Sequence, residues 1–402
     1  MEHPEIWISA IVVGCAAVMA YGLLLPPVSK SLIWRATVTP LASIIGSGFL
    51  VLGPILSREY GQYAPLVMLA LCAVAYGFGS AIRFNISHFE SLPEGQANGI
   101  RTLEAISSWA LALAYIVSVT YYLNLLGSFA VSLTNANERV FARLVTTAVL
   151  IFIGVFGLRH GLKRLEDLEE TAVTIKLAII AGLLIGMVVY LGHLLNTSGT
   201  VHNPAQPFGS ASLFLVFGLV ICVQGFETSR YLGKQYDAPT RIRTMKLAQW
   251  IATGIYLVYA ALMAFSFDAS TMGTSETAII DVTHVVAPVL PAMLVAAALA
   301  AQFSAAVADT AGCGGLISEL SRNRVPQSIG YIVVTIGGVL LTWTADVFEI
   351  IAYASRAFAI YYSMQSIVAA RLAASHQSAW AFLYGILAIL GIVIAIFGIP
   401  AG

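Results

Sequence analysis

Four ionisable side chains stand inside stretches otherwise apolar enough for hydrocarbon: Lys176, Glu227, Asp309 and Arg356. A charge there costs several kcal/mol unless it is paired or hydrated, so each is a candidate for ion or proton coupling or for holding a charged solute. Glu227 lies in "VICVQGFETSRYLG" (220–233), where an apolar run halts at Gln224 and Gly225 before Phe226. Its carboxylate either accepts from the N–H groups of a helix that restarts there, whose first turn favours negative charge, or exchanges a proton during a functional cycle. Lys176, about one and a half turns into its span, is long enough to snorkel to the nearby interface. Asp309 is either an interface aspartate paired with a loop arginine or the counter-charge of Lys176. Gln302, seven residues earlier, shares its helical face. Arg356, in "AYASRAFAIYY" (352–362), keeps its charge and needs a carboxylate, a carbonyl or a substrate anion; Glu227 and Asp309 are its expected partners.

Helices must position these groups. The 402 residues are 59% hydrophobic and 10% charged, against about 25% charged in soluble domains, so the chain belongs in a bilayer with lipid as its surroundings. A formal net charge of zero argues against a nucleic-acid partner. Cys15, Cys72, Cys222 and Cys313 sit in apolar runs without paired spacing, as buried small hydrophobes do, and neither a metal nor a cofactor is implied. Residues 5–25 lack a basic start and a small-residue cleavage site, so they are expected to be a retained helix rather than a signal peptide.

About 20 apolar residues cross the hydrocarbon core. Twelve runs qualify or nearly do: 5–25, 38–57, 63–83, 105–131, 140–157, 172–193, 210–232, 248–267, 286–311, 328–344, 347–370 and 379–398. Lys and Arg concentrate in alternate loops (30–35, 101, 159–164, 230–246, 322–324 and 371), which places the N-terminus outside.

Two spans are interrupted at mid-depth, the second by Gly46, Ser47 and Gly48 and the seventh by Gln224 and Gly225. An unwound backbone in hydrocarbon is tolerated only where protein buries it or a cavity solvates it. A lone Gly-small-Gly is commonly a close-packing face, but these interruptions head two sets of five spans, 38–193 and 210–370. Five is odd, so the second set must run inverted, the pattern of transporters whose site forms at broken helices near the midplane.

The chain resembles the amino acid–polyamine–organocation (APC) transporter superfamily, with the inverted repeat of the leucine-transporter fold. "SIIGSGFLVLGP" (43–54) is similar to its glycine-rich first core helix, and "VQGFETSRYLGKQYDAPTR" (223–241) to its sixth, with Asp237-Ala238-Pro239 where Asn-Pro is common. "TAVTIKLAIIAG" (171–182) resembles the fifth, and "SAAVADTAGCGGLISELSRNRVP" (304–326) the eighth and its loop. The likeness spans roughly 36–372. It implies an all-α membrane protein of twelve helices: 1–35 an extra helix and loop, 36–200 the first five-helix repeat, 201–372 the second, 373–402 a peripheral helix. The Asp-Pro-Gly-Asn and Met-Pro-His motifs of metal-transporting relatives are missing, which disfavours a metal substrate.

By resemblance, Lys176 occupies the place where sodium-coupled relatives hold a cation between core helices one, five and eight, and Ser304 falls near the hydroxyl they use for sodium. That implies proton coupling or sodium independence. The solute is expected at Ile45, Gly46, Ser47, Gly48, Gln224, Gly225 and Phe226, with Tyr121, Tyr122 and Tyr353 lining the site and Phe226 as a gate. Ion coupling falls to Lys176, Glu227, Ser304, Asp309 and Arg356. The function expected is secondary transport of a small organic solute, an amino acid or amine first, by alternating access. The alternative is a solute sensor or subunit on the same fold. No H-E-x-x-H or G-x-S-x-G suggests an enzyme, and the oligomeric state is left open.

Overall fold

The computed structural model describes residues 4–46, 48–89, 98–135, 138–162, 169–197, 199–205, 207–375 and 377–401. Ser47, one of the expected site residues, lies outside them. The described chain is helical: α1 Pro4–Leu24, α2 Leu32–Ile44, α3 Gly48–Tyr60, α4 Ala64–Phe89, α5 Asn98–Val131, α6 Arg139–His160 and α7 Glu169–Thr197. There follow α8 Ser210–Gly218, α9 Thr228–Tyr231, α10 Ala238–Ser266, α11 Leu290–Leu320, α12 Gln327–Thr344, α13 Val347–Ser375 and α14 Trp380–Phe397.

Among the described residues nine helical runs are long and apolar enough to cross a membrane, with α3 and α4 counted as one run. The short helices α2, α8 and α9 fall outside that count, as does α13, which carries Glu349, Arg356 and Arg371.

Local chemistry sets several boundaries. Ser31 caps α2, accepting from Trp34 N at 3.5 Å, and Asp237 caps α10, accepting from Thr240 N at 3.1 Å, with Pro239 in the first turn where its missing N–H costs nothing. Helix α2 stops at Ile45 (φ −83°, ψ 61°), whose N–H still reaches Leu41 O at 3.0 Å. Helix α8 gives way to a tight turn over Val220–Val223; Gln224 is then extended (φ −92°, ψ 177°) and Gly225 has φ +120°, a conformation open to glycine and strained for other residues.

Packing follows a pairwise pattern. Helix α5 packs along α11, α4 along α10 and α6 along α12. Helix α13 lies on α5, as α7 lies on α11. The two end helices are placed alike, α1 on α7 and α14 on α13. The core this builds surrounds the breaks: Phe49, Tyr121, Tyr256, Tyr259, Phe226, Phe358, Tyr361 and Tyr362 are all buried.

Candidate functional site

The breaks touch. A Cβ on Gly225 would lie 2.7 Å from Ile44 N, and one on Gly48 would lie 3.0 Å from the Cys222 Cβ, so glycine at both positions permits backbone to meet backbone. Tyr256 of α10 joins them: its hydroxyl stands 2.6 Å from Ile44 O and 2.9 Å from Cys222 O. One phenolic proton serves two carbonyls, each at an end where the helical ladder stops.

At the first break Lys176 is buried, and its Nζ donates to Ala42 O at 2.8 Å. The ammonium therefore does not snorkel. It sits against the carbonyl end of α2, where the helix dipole favours a cation. Ile45 is fully buried, and the ring of Tyr122 comes within 3.4 Å of where a Gly46 side chain would begin. A small apolar void beside Lys176 and Gly46 is bordered by Phe49, Ile180, Ala298 and Ala301, with room for about one water molecule.

At the second break Glu227 is 1% exposed. Its Oε2 accepts from Gly225 N at 3.1 Å and lies 2.8 Å from the Tyr362 hydroxyl, which also stands 3.0 Å from Gln224 Oε1. The expected cap on the restarting helix is thus corrected: α9 has no side-chain cap, and the carboxylate turns back to the amide two residues before it, because positive φ at Gly225 aims that N–H at it. Gln224 Nε2 donates weakly to Tyr122 OH at 3.5 Å. Ser355 Oγ accepts from Ile221 N at 2.9 Å and donates to Gly218 O at 2.7 Å, absorbing two more orphan groups. The Phe226 ring stacks on Tyr362 with centroids 5.1 Å apart, and Phe78 packs the other neighbour position at 5.2 Å.

Asp309 is buried and accepts from Ser118 Oγ of α5, while Ser304 Oγ bonds within its own helix to Ala301 O at 3.2 Å. Two expected site residues lie elsewhere. Arg356 does not reach Glu227 or Asp309: its Nε and Nη2 donate to Ala395 O at 2.9 Å and Ile396 O at 2.7 Å, the carbonyl end of α14. Tyr353 is 40% exposed on the outer side of α13, and Tyr362 takes the inward place. Nine residues at 100° each is two and a half turns, so only one of these two tyrosines can face the breaks.

Beyond Glu227 an unforeseen polar cluster closes one end of the bundle. Arg230 Nη2 pairs with Glu104 Oε1 at 2.6 Å; Gln365 Nε2 donates to Glu104 Oε2 at 3.0 Å and to Ser107 Oγ at 2.8 Å; Asn85 Nδ2 donates to Gln365 Oε1 at 2.8 Å. The signal available for it was an arginine three residues after Glu227 in an otherwise apolar stretch.

A breached pair of helices joined at mid-length, with buried carboxylates, a buried lysine and tyrosines converging on the gap, suits solute binding in a membrane. A family model described as an APC superfamily transporter matches residues 26–398. The chain belongs to the APC superfamily of transporters. It is also 43% identical over 350 residues to an uncharacterised protein of Aquifex aeolicus (strain VF5), covering 86% of this chain and 85% of that protein. Membership covers both breaks, α7 and α11, so every buried ionisable group described above lies in the part of the chain that matches the APC model.

Proposed function

We propose that this APC-superfamily chain is a secondary transporter of a small organic solute, an amino acid or an amine, working by alternating access between two five-helix repeats (36–200 and 201–372). In this reading the helix count is twelve: the nine apolar runs, with α3 taken from its run with α4 and joined to α2 as one broken crossing, α8 with α9 as another, and α13. Pairing of α4 with α10, α5 with α11 and α6 with α12 is what a twofold axis in the membrane plane would generate. The N-terminus faces outward, which puts Glu104 and Arg230 at the cytoplasmic end of the path.

The observation that carries the proposal is the contact between the two breaks through Gly225, Gly48 and Tyr256. Backbone groups that hydrocarbon cannot satisfy are gathered at one point, where a solute's ammonium and carboxylate groups can bind them. The aromatic packing of Phe226, Tyr362 and Tyr122 fills that point, so loading requires the bundle to open, and the Glu104–Arg230 pair is the contact that opening towards the cytoplasm must break. Lys176 holds the α2 carbonyl end where sodium-coupled relatives place a cation, which favours sodium-independent or proton-coupled transport.

Counterflow tests this. Proteoliposomes loaded with unlabelled amino acid or amine should accumulate the labelled form without sodium, and Glu227→Gln should abolish accumulation while leaving the folded yield unchanged. Binding without exchange would instead identify a sensor. Accumulation that needs sodium would remove the role given to Lys176.

A further inference from the structure

Arg83, near the end of α4, is 5% exposed and pairs with no carboxylate among the described residues. A buried guanidinium keeps its charge, so a carboxylate, a helix end or water is needed to meet it. Arg230 has Glu104, and Arg356 has the carbonyl end of α14. Arg83 has neither. Its Nη1 donates to Gln249 Oε1 of α10, its Nη2 reaches Tyr76 O within α4 at 3.4 Å, and its Cζ lies 4.6 Å from the centre of the Tyr76 ring. The slot is shaped for this arrangement. A Cβ on Gly79 would fall 2.5 Å from the Gln249 amide, whose Nε2 donates to Ala75 O at 2.9 Å. The charge is thus positioned but not neutralised: two of a guanidinium's five N–H donors meet neutral oxygens.

The place is a membrane boundary. Arg83 closes the apolar span 63–83, and Gln249 stands at the opening of the span 248–267. Phe84 packs on Tyr384 with centroids 5.3 Å apart, and Tyr384 lies about one turn inside the start of α14 at Trp380. Trp380 and Trp250 are both exposed, as the aromatic side chains of an interfacial belt are. The Trp250 ring stands 5.6 Å from that of Tyr76, so Tyr76 touches both the tryptophan and the Arg83 guanidinium, in one groove between α4 and α10. On the same exposed face of α10, four and seven residues before Trp250, come Lys246 and Arg243. The face therefore reads cation, cation, tryptophan from the aqueous end inward, with a third cation beside it in the groove.

We propose that the groove between α4 and α10 binds one anionic phospholipid, whose phosphodiester oxygens accept from the remaining N–H groups of Arg83 and from the Lys246 ammonium. A planar guanidinium matches two phosphate oxygens, and basic pockets between helices at the headgroup level are where acidic lipids bind. Trp250 and the exposed Leu247 lie against the upper acyl chains. A zwitterionic lipid carries the same phosphodiester but sets its own ammonium against Lys246 and Arg243, so an acidic headgroup is preferred. Inorganic phosphate lacks the chains that cover the tryptophan, so it binds less well than the lipid. The inference does not depend on which solute the protein carries.

The test uses the purified full chain in a neutral detergent, with phosphatidylglycerol, phosphatidylcholine and inorganic phosphate as probes. Melting temperature against probe concentration gives each apparent affinity. Phosphatidylglycerol should stabilise the wild type with an affinity about tenfold above that of phosphatidylcholine, and native mass spectrometry should find it retained on the chain. Phosphate alone should leave melting unchanged. Lys246→Ala should weaken phosphatidylglycerol binding about fivefold and Arg83→Gln about tenfold. Arg83→Gln also disturbs the Gln249 slot, so where that variant folds poorly the exposed changes Lys246→Ala and Trp250→Leu carry the test. Equal stabilisation by the two lipids would overturn the proposal. So would phosphatidylglycerol binding that neither K246A nor W250L weakens. A phosphate effect as large as that of phosphatidylglycerol would reveal a simple anion site and overturn it as well.

Discussion

At the first break the freed carbonyls of α2 are met from other helices, by Lys176 of α7 at Ala42 O and by Tyr256 of α10 at Ile44 O. At the second, the chain turns on itself where Glu227 accepts from Gly225 N, while Ser355 of α13 serves Ile221 N and Gly218 O. The first gap is therefore lined by donors brought to a helix end, and the second by a carboxylate built into the turn. The contrast teaches where charge can change during a cycle. A lysine held on a carbonyl reports the position of another helix, whereas a glutamate on its own backbone amide can alter its partners without any helix moving. Tyr256 answers to both gaps with a single hydroxyl.

This contrast can be broken in four ways. Gly225→Ala should have the largest effect, since a Cβ at φ +120° must also displace the backbone of Ser43 and Ile44. Left-handed strain of about 1–3 kcal/mol adds to overpacking of about 1–3 kcal/mol, and little folded protein should elute as a monodisperse peak in detergent. Ordinary yield and melting would show that the gaps do not meet as described. Next, Glu104→Leu strips the mostly covered Arg230 of its carboxylate and should cost up to about 3 kcal/mol, with Glu104→Leu and Arg230→Leu together recovering part of it in thermal unfolding. Additive losses would mean the pair does not act as one contact.

Tyr256→Phe sharpens the comparison. It leaves Ile44 O and Cys222 O both short of a donor, for about 1–3 kcal/mol read in thermal unfolding; an unchanged melting temperature would show that the hydroxyl does not bridge the gaps. The smallest effect belongs to Asp237, outside the membrane-spanning segments, whose hydrogen bonds to Thr240 at the start of α10 hold its carboxyl below the usual carboxylate range. A depressed folded-state value means its stabilisation is present above the unfolded value and is lost as pH falls through the folded one. The melting difference between wild type and Asp237→Ala should therefore vanish in strongly acidic buffer and be constant near neutrality. A difference that persisted in acid would rule out the cap as its source.

The gaps themselves were legible in the sequence because glycine, glutamine and glutamate stand out in hydrocarbon. Their partners were not. Lys176 and Ala42 are 134 residues apart, and Tyr362 and Glu227 are 135 apart, so no local pattern links them. Arg356 misled for a related reason: depth along α13 was evident, but the side of the helix was not, and it faces α14 rather than the gaps. Most crossings followed from hydropathy. Helix α13 and the short helices α2, α8 and α9 do not pass a simple length-and-apolarity test, since charges or unwinding dilute the signal there.

The tail that follows α14 has a practical use. Ile399 N donates to Phe214 O at 3.0 Å, and the approach at Gly218 leaves no space for a side chain against Ile399 O. Any swing of α8 must either snap that hydrogen bond or carry α14 with it. A spin label or fluorophore on a lipid-facing position of α14, such as Ile389, would then register opening at mid-membrane from outside, without intruding on the residues that do the work.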